Sequence, residues 1–248
     1  MNLLLLRPVE IDSSGCVTLN DRRAEHLLSV LKVTPGGTVR VGLLNGPLGQ
    51  AVVIDIAANH VRLRCQFETA APKAPEDVLL LAMPRPKVLA RCLEHATSLG
   101  FAHIVLFRSR QTVKSHFESH VLHADQIHRH LLAGLEQARR TFLPTVTVFQ
   151  RFRPFVEDHL QVLITSHNRY LADPDAVDTL HQCSPENEPF TLVIGPEGGL
   201  IPHEVSCFAE RGFQLFNAGP HPLRVEAALN FVTGQLVALR ENQPRAER

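Results

Sequence analysis

The chain has 248 residues, of which 44% are apolar and 20% charged, with 25 Lys and Arg against 25 Asp and Glu. This arithmetic fits a soluble folded protein and excludes disordered and collagen-like readings. A membrane span is excluded too, because apolar runs such as 78–83 and 192–194 fall far short of the ~20 residues a bilayer needs.

At the N-terminus, the apolar stretch 3–6 has no basic residue before it and Arg7 directly after, so it does not read as a secretion signal, and a cytoplasmic protein is expected. From 17 to 67, short apolar segments alternate with the turn signals Pro35-Gly36-Gly37, Asn45-Gly46-Pro47 and Asn59-His60. Segments 38–43 and 50–56 flank the second turn as a hairpin, and 61–67 reads as a third strand. One helix interrupts this β-barrel-like module at 21–32, with Ala24, Leu27, Leu28 and Leu31 on one face and Asp21 as its cap. The connector 68–75, with small residues and two prolines, places a boundary between domains 1–72 and 73–248.

Beyond it the pattern alternates. Strands are expected at 78–83, 104–107, 145–149, 162–165, 191–194 and 213–216, and helices at 87–99, 122–140, 201–211 and 224–240. Such alternation predicts an α/β domain with a mostly parallel sheet covered by helices on both faces. Ligands of such sheets bind at loops leaving the carboxyl ends of strands.

Charge is uneven along the chain: residues 1–72 carry 7 basic and 6 acidic side chains, 73–153 carry 12 and 6, and 154–248 carry 6 and 13. A basic middle segment suits a polyanionic partner, or it faces the acidic segment within the fold. Five cysteines, Cys16, Cys65, Cys92, Cys183 and Cys207, show no metal or disulfide spacing. His116, His120 and His123 would share one face of a continuous helix, but no carboxylate or thiol completes a zinc set, and no metal is expected.

Two loops could hold a ligand. Ile194-Gly195-Pro196-Glu197-Gly198-Gly199 runs from a buried strand toward a helix, and it has neither the lysine of a phosphate-binding loop nor dinucleotide spacing. Asn217-Ala218-Gly219-Pro220-His221-Pro222-Leu223-Arg224-Val225-Glu226 follows another strand and precedes the last helix. Two adjacent glycine-proline turns would wall a pocket with backbone, which suits a nucleoside. Each is equally readable as a tight strand-to-helix connection, with Arg224 and Glu226 capping or pairing.

At these loops the chain resembles the RsmE family of small-subunit ribosomal RNA methyltransferases, within the SPOUT superfamily. The family pattern I-G-P-E-G-G is met by residues 194–199, and L-G-P-R-I-L-R-x-E-T-A by 218–228. In the same order, 26–32 resembles H-L-x-x-V-L-R, 96–100 resembles A-T-E-L-G, Arg110 the arginine of S-E-R, and 136–140 resembles E-Q-x-x-R. The chain departs from the family pattern at Ser98, His221, Pro222 and Val225, among others.

The resemblance implies an N-terminal PUA-like β-barrel that helps hold RNA and a C-terminal domain tied in a trefoil knot. It also implies a homodimer that binds S-adenosylmethionine and methylates N3 of a uridine in 16S ribosomal RNA. Cofactor contacts are then expected at Gly195, Glu197, Gly198, Ala218, Gly219 and Leu223, with Leu163 and Thr165 closing a third side from the strand expected at 162–165. Lys32, Arg110, Arg139 and Arg140 would meet RNA, and Arg224, oriented by Glu226, would favour the N3-deprotonated uridine. An i, i+4 pair between Glu136 and Arg140 is an alternative use of that arginine. Two alternatives remain open: an RNA-binding or assembly protein with a vestigial pocket, and a related methyltransferase with another RNA target.

Overall fold

The computed structural model describes residues 2–57, 59–68, 70–164, 166–183 and 188–241. In chain order the elements are β1 (Leu4–Leu6), β2 (Cys16–Leu19), α1 (Arg22–Ser29), β3 (Thr38–Leu43), β4 (Leu48–Ala57), β5 (His60–Phe67), β6 (Val78–Ala82), α2 (Pro86–Leu99) and β7 (His103–Phe107). They continue with α3 (Ala124–Ala138), β8 (Thr145–Phe149), α4 (Phe152–Pro154), α5 (Leu160–Leu163), β9 (Asn168–Ala172), β10 (Phe190–Ile194), α6 (Pro202–Ala209), β11 (Gln214–Phe216) and α7 (Val225–Glu241). The chain divides into two compact units, Met1–Ala74 with Leu132–Leu143, and Pro75–Leu131 with Pro144–Arg248.

The first unit is a five-stranded sheet in the order β1-β3-β4-β5-β2, antiparallel except for the β1–β3 pair. Alternate residues of its strands face inward, so Leu4, Leu6, Val41, Val53, Val61 and Leu63 join Ala24 and Leu27 of α1 in one core. Asp21 starts α1 by accepting the Arg23 N–H at 2.8 Å, which satisfies one of the orphan donors of the first turn. At Gly49 in β4 an added Cβ would run into the Gln66 carbonyl oxygen of the paired strand β5, so no larger residue fits there.

Segment Leu132–Leu143 completes this unit from far along the sequence. Leu135, fully buried, packs with Leu3 and Leu5, and the Thr141 hydroxyl donates to the Gly46 carbonyl at 2.7 Å. Glu136, 5% exposed, accepts two hydrogen bonds from Arg22, at 2.7 and 3.2 Å. These bonds tie Glu136 to α1.

The second unit is a six-stranded, wholly parallel sheet in the order β11-β9-β10-β6-β7-β8. β6 and β10 are buried along their full length, which explains sequences that are apolar throughout but for Thr191. Pro86 opens α2, and Gly100, at φ 92°, closes it in the left-handed conformation that glycine adopts without strain. The strand expected at 162–165 is not a strand: Phe152–Pro154, a π-helical turn Phe155–His159 and Leu160–Leu163 form one short, irregular helical stretch. Leu160 and Ile164 point into the core while Val162 is 82% exposed, the spacing of a helix and not of a pleat. The strand of this region is β9, and Thr165 lies outside the described residues.

Lys114–Glu118 and His120–Leu122 are separate 3-10 turns, with Ser119 and His123 extended, so no continuous face carries the three imidazoles. Among the described residues no group of three or more His, Cys, Asp or Glu could hold a metal ion, and no helix is long and apolar enough to cross a membrane.

Candidate active site

The neighbouring strands β11, β9 and β10 end on the same side of the parallel sheet, and the loops that leave them enclose a cavity of about 350 Å³. That volume falls within the range of small-molecule sites, and its place at strand carboxyl ends is where open α/β sheets bind ligands. Three stretches of chain make most of the walls, 171–175 after β9, 194–200 after β10 and 217–223 after β11, with Val205 of α6 and Val225 and Ala228 of α7 completing them. Gly195, Glu197, Gly198, Ala218, Gly219 and Leu223 are thus brought together as expected.

Leu163 is not among them. It sits in α5 and packs against the core beside Phe155 and Leu160, because the helical turn there directs it inward. The third wall is instead Leu171–Asp175, whose Asp-Pro-Asp run is a readable turn signal that follows an overlooked strand.

Each loop has its own internal brace. The Gly199 N–H donates to the Pro196 carbonyl at 2.9 Å with Gly199 at φ +74°, a tight turn that a β-carbon would strain. Gly198 lies against Gln111, where an added Cβ would be 3.2 Å from the side chain. Asn217 ties two walls: its side-chain amide donates to the Pro174 carbonyl at 2.8 Å and its carbonyl oxygen accepts the Gly219 N–H at 2.8 Å. The backbone N–H of Asp173 closes on the Phe216 carbonyl at 3.0 Å.

The carboxylates near the glycine turn are engaged with α2. Glu197 accepts the backbone N–H of Arg85 at 3.0 Å, filling the cap position of a helix whose own cap residue supplies no side-chain oxygen. Glu226, in the first turn of α7, faces Arg91 of α2 at 3.4 Å and not Arg224. Cys92 lies in the same helix, and burial, reinforced by the Glu226 and Glu197 carboxylates, pushes its thiol up to about 12. Arg224 is exposed at the start of α7, and among the described residues its side chain has no ion-pair partner. The expected orientation of Arg224 by Glu226 is not a direct contact, since residues two apart at the start of a helix point to different sides.

A further residue shapes the site from behind. Glu204, 3% exposed, accepts the N–H of Ile201 at the start of α6 at 3.1 Å and the N–H of Arg110 at 2.7 Å. It fixes the loop that carries Arg110 and Gln111 against the glycine turn, leaving the Arg110 side chain exposed. The glutamate three residues after Ile201 is the sequence signal that identifies such a cap. Lys32, Arg139 and Arg140 belong to the first unit and are exposed, with Lys32 and Arg139 in left-handed backbone at φ 49° and 58°. Arg139 and Arg40 lie at a second cavity in that unit, of about 470 Å³.

Known proteins give this geometry a lineage. The RNA methyltransferase domain family matches residues 72–237. The ribosomal RNA small subunit methyltransferase E of Treponema pallidum is 30% identical over 92% of this chain and 87% of its own length. A methyltransferase E 1 of Borreliella burgdorferi is 25% identical over 92% of this chain and 94% of its own. In fold, the chain is similar to a methyltransferase from Legionella pneumophila solved with SAM, at TM-score 0.77 and 20% identity over 96% of this chain and 97% of that one. It is also similar to the methyltransferase E of Neisseria gonorrhoeae bound to S-adenosyl methionine, at TM-score 0.75 and 20% identity over 96% and 98%. With a family match across two thirds of its length and relatives aligned nearly end to end, the chain belongs to the RsmE family of ribosomal RNA small-subunit methyltransferases.

Proposed function

We propose that this chain transfers a methyl group from S-adenosylmethionine to N3 of a uridine in 16S ribosomal RNA of the small subunit. The observation that carries this reading is the cavity walled by the two glycine-proline turns and the 171–175 loop, in a chain of this family. Its rim is built mostly from glycine, proline and aliphatic residues, which suits an uncharged adenosine, and among the described residues no phosphate-binding lysine lines it.

S-adenosylmethionine supplies a methyl group on a sulfonium sulfur, an electrophile that needs alignment more than activation. Gly195, Glu197, Gly198, Ala218, Gly219 and Leu223 hold the adenosine, with Leu171–Asp175 taking the place expected of Leu163. Arg224, exposed beside the cavity, meets the base and favours its N3-deprotonated form, because a guanidinium stabilises developing negative charge. Glu226 acts through Arg91, fixing the start of α7 and with it the backbone that presents Arg224. Arg110, Arg139, Arg140 and Lys32 contact the RNA, and the proton released from N3 passes to water or to an RNA phosphate. The first unit works as a PUA-like RNA-holding domain, the C-terminal part is knotted in the SPOUT manner, and the enzyme acts as a cytoplasmic homodimer without metal.

Mass spectrometry of small-subunit rRNA nucleosides from cells with and without the protein tests this reading. Loss of one N3-methyluridine, restored by the wild-type gene, is expected. An unchanged nucleoside profile, or calorimetry showing no saturable heat with S-adenosylmethionine, overturns it in favour of an RNA-binding protein.

A further inference from the structure

The side chains around the cavity are unbalanced in charge. Among the described residues Asp173, Asp175 and Glu197 line it, no Lys or Arg does, and His221 is the one basic group. Among the described residues none of the three carboxylates has an ion-pair partner. Two are held in place by main-chain groups: Asp173 accepts the Asp175 N–H at 3.1 Å, and Glu197 accepts the Arg85 N–H at 3.0 Å. Such hydrogen bonds orient a carboxylate without neutralising it. The remaining described walls are glycine, proline and aliphatic residues with the neutral amide of Asn217, none of which supplies a countercharge.

The reaction itself changes the charge of what fills such a cavity. In methyl transfer the S–CH3 bond breaks with its electron pair left on sulfur, the acceptor nitrogen forms the new N–CH3 bond, and the acceptor's proton goes to solvent. S-adenosylmethionine thus enters with one more positive charge than S-adenosylhomocysteine carries away. Resting on the proposed use of this cavity, we propose that Asp173 and Asp175, backed by Glu197, are specificity-determining residues whose field favours the sulfonium form and disfavours retention of the neutral thioether product. The backbone walls recognise the adenosine common to both, and the carboxylates tell the two apart. A uniformly tight pocket would hold the product and throttle turnover, whereas a charge-selective one releases it without any loop movement.

Calorimetric affinities of the full chain for both compounds, at low and high salt, test this. The wild type is expected to bind S-adenosylmethionine more tightly, with the preference shrinking as salt screens the carboxylates. The double variant D173N/D175N removes both charges, while the amide put in place of the Asp173 carboxylate keeps an oxygen to accept the residue-175 N–H. It is expected to lose about three- to tenfold in affinity for the sulfonium and to hold the thioether within about twofold. An equal loss for both compounds, or a wild-type preference that neither salt nor the double variant changes, overturns the inference while leaving the cofactor reading intact. A wild type that binds neither compound overturns that reading, and this inference with it.

Discussion

Arg224 and Glu226 stand two residues apart and do different work. Arg224 is exposed with no ion-pair partner among the described residues, whereas Glu226 is mostly buried and faces Arg91. Replacing Arg224 with Ala is therefore expected to lower the methylation rate about 100-fold while S-adenosylmethionine binding, read by calorimetry, stays within about twofold. Glu226→Gln should weaken both, because the start of α7 loses its tie to α2. A second residue-scale consequence concerns acid. Burial alone would raise the Glu10 carboxyl, but hydrogen bonds from Arg23 and from Arg7 outweigh it and hold the group at about 2 against an ordinary 4.5. A depressed folded value stabilises the protein above about 4.5, and that stabilisation fades as pH falls toward about 2. Urea unfolding at stepped pH should show Glu10→Gln flattening this acid limb and leaving the dependence above pH ~6 unchanged.

At the scale of elements, the sequence made the strong cases readable and hid those where polar residues are buried. α2 announces itself by an apolar stripe and by Gly100, β6 by an unbroken apolar run and β10 by one interrupted only at Thr191. β9 does not, because it opens with Asn168 and Arg169. Asn168 is nonetheless buried, with its side-chain amide donating to the Glu188 carbonyl at 3.4 Å. The Arg169 guanidinium spends its donors on the carbonyls of Ser166 and Arg211, at 2.9 and 2.8 Å. Binary pattern cannot see such long-range satisfaction of polar groups, so the neighbouring run 162–164 took the strand's place. The same blindness cost the third wall of the cavity, since Asp173 and Asp175 follow the strand that was missed. The glycine-proline turns were legible because each carries its own conformational demand. Gly199→Ala, forced to φ +74°, should cost about 1 kcal/mol in thermal or urea unfolding and loosen S-adenosylmethionine binding.

For the whole molecule, the informative departure is that the first unit is not a contiguous stretch. A boundary at residue 72 follows the change in pattern along the chain, yet Leu132–Leu143 belongs with the N-terminal strands. The reason is physical: Leu3 and Leu5 need an apolar partner, and Leu135 supplies it. Leu135→Ala should destabilise the N-terminal sheet by about 2–5 kcal/mol, measurable as early loss of amide protection in β1 and β3 while β6 and β10 stay protected. Equal loss of protection in both sheets would show instead that the chain unfolds as one cooperative body.

Cys92 offers a way to watch the protein breathe. With its thiol at about 12 and its side chain sealed inside, the thiolate that alkylating reagents attack is absent at neutral pH. Labelling must then wait for the second helix to lift from the last one, and its rate becomes a stopwatch for that opening. Anything bound on the glycine turn, which grips the same helix through Glu197, should slow the clock.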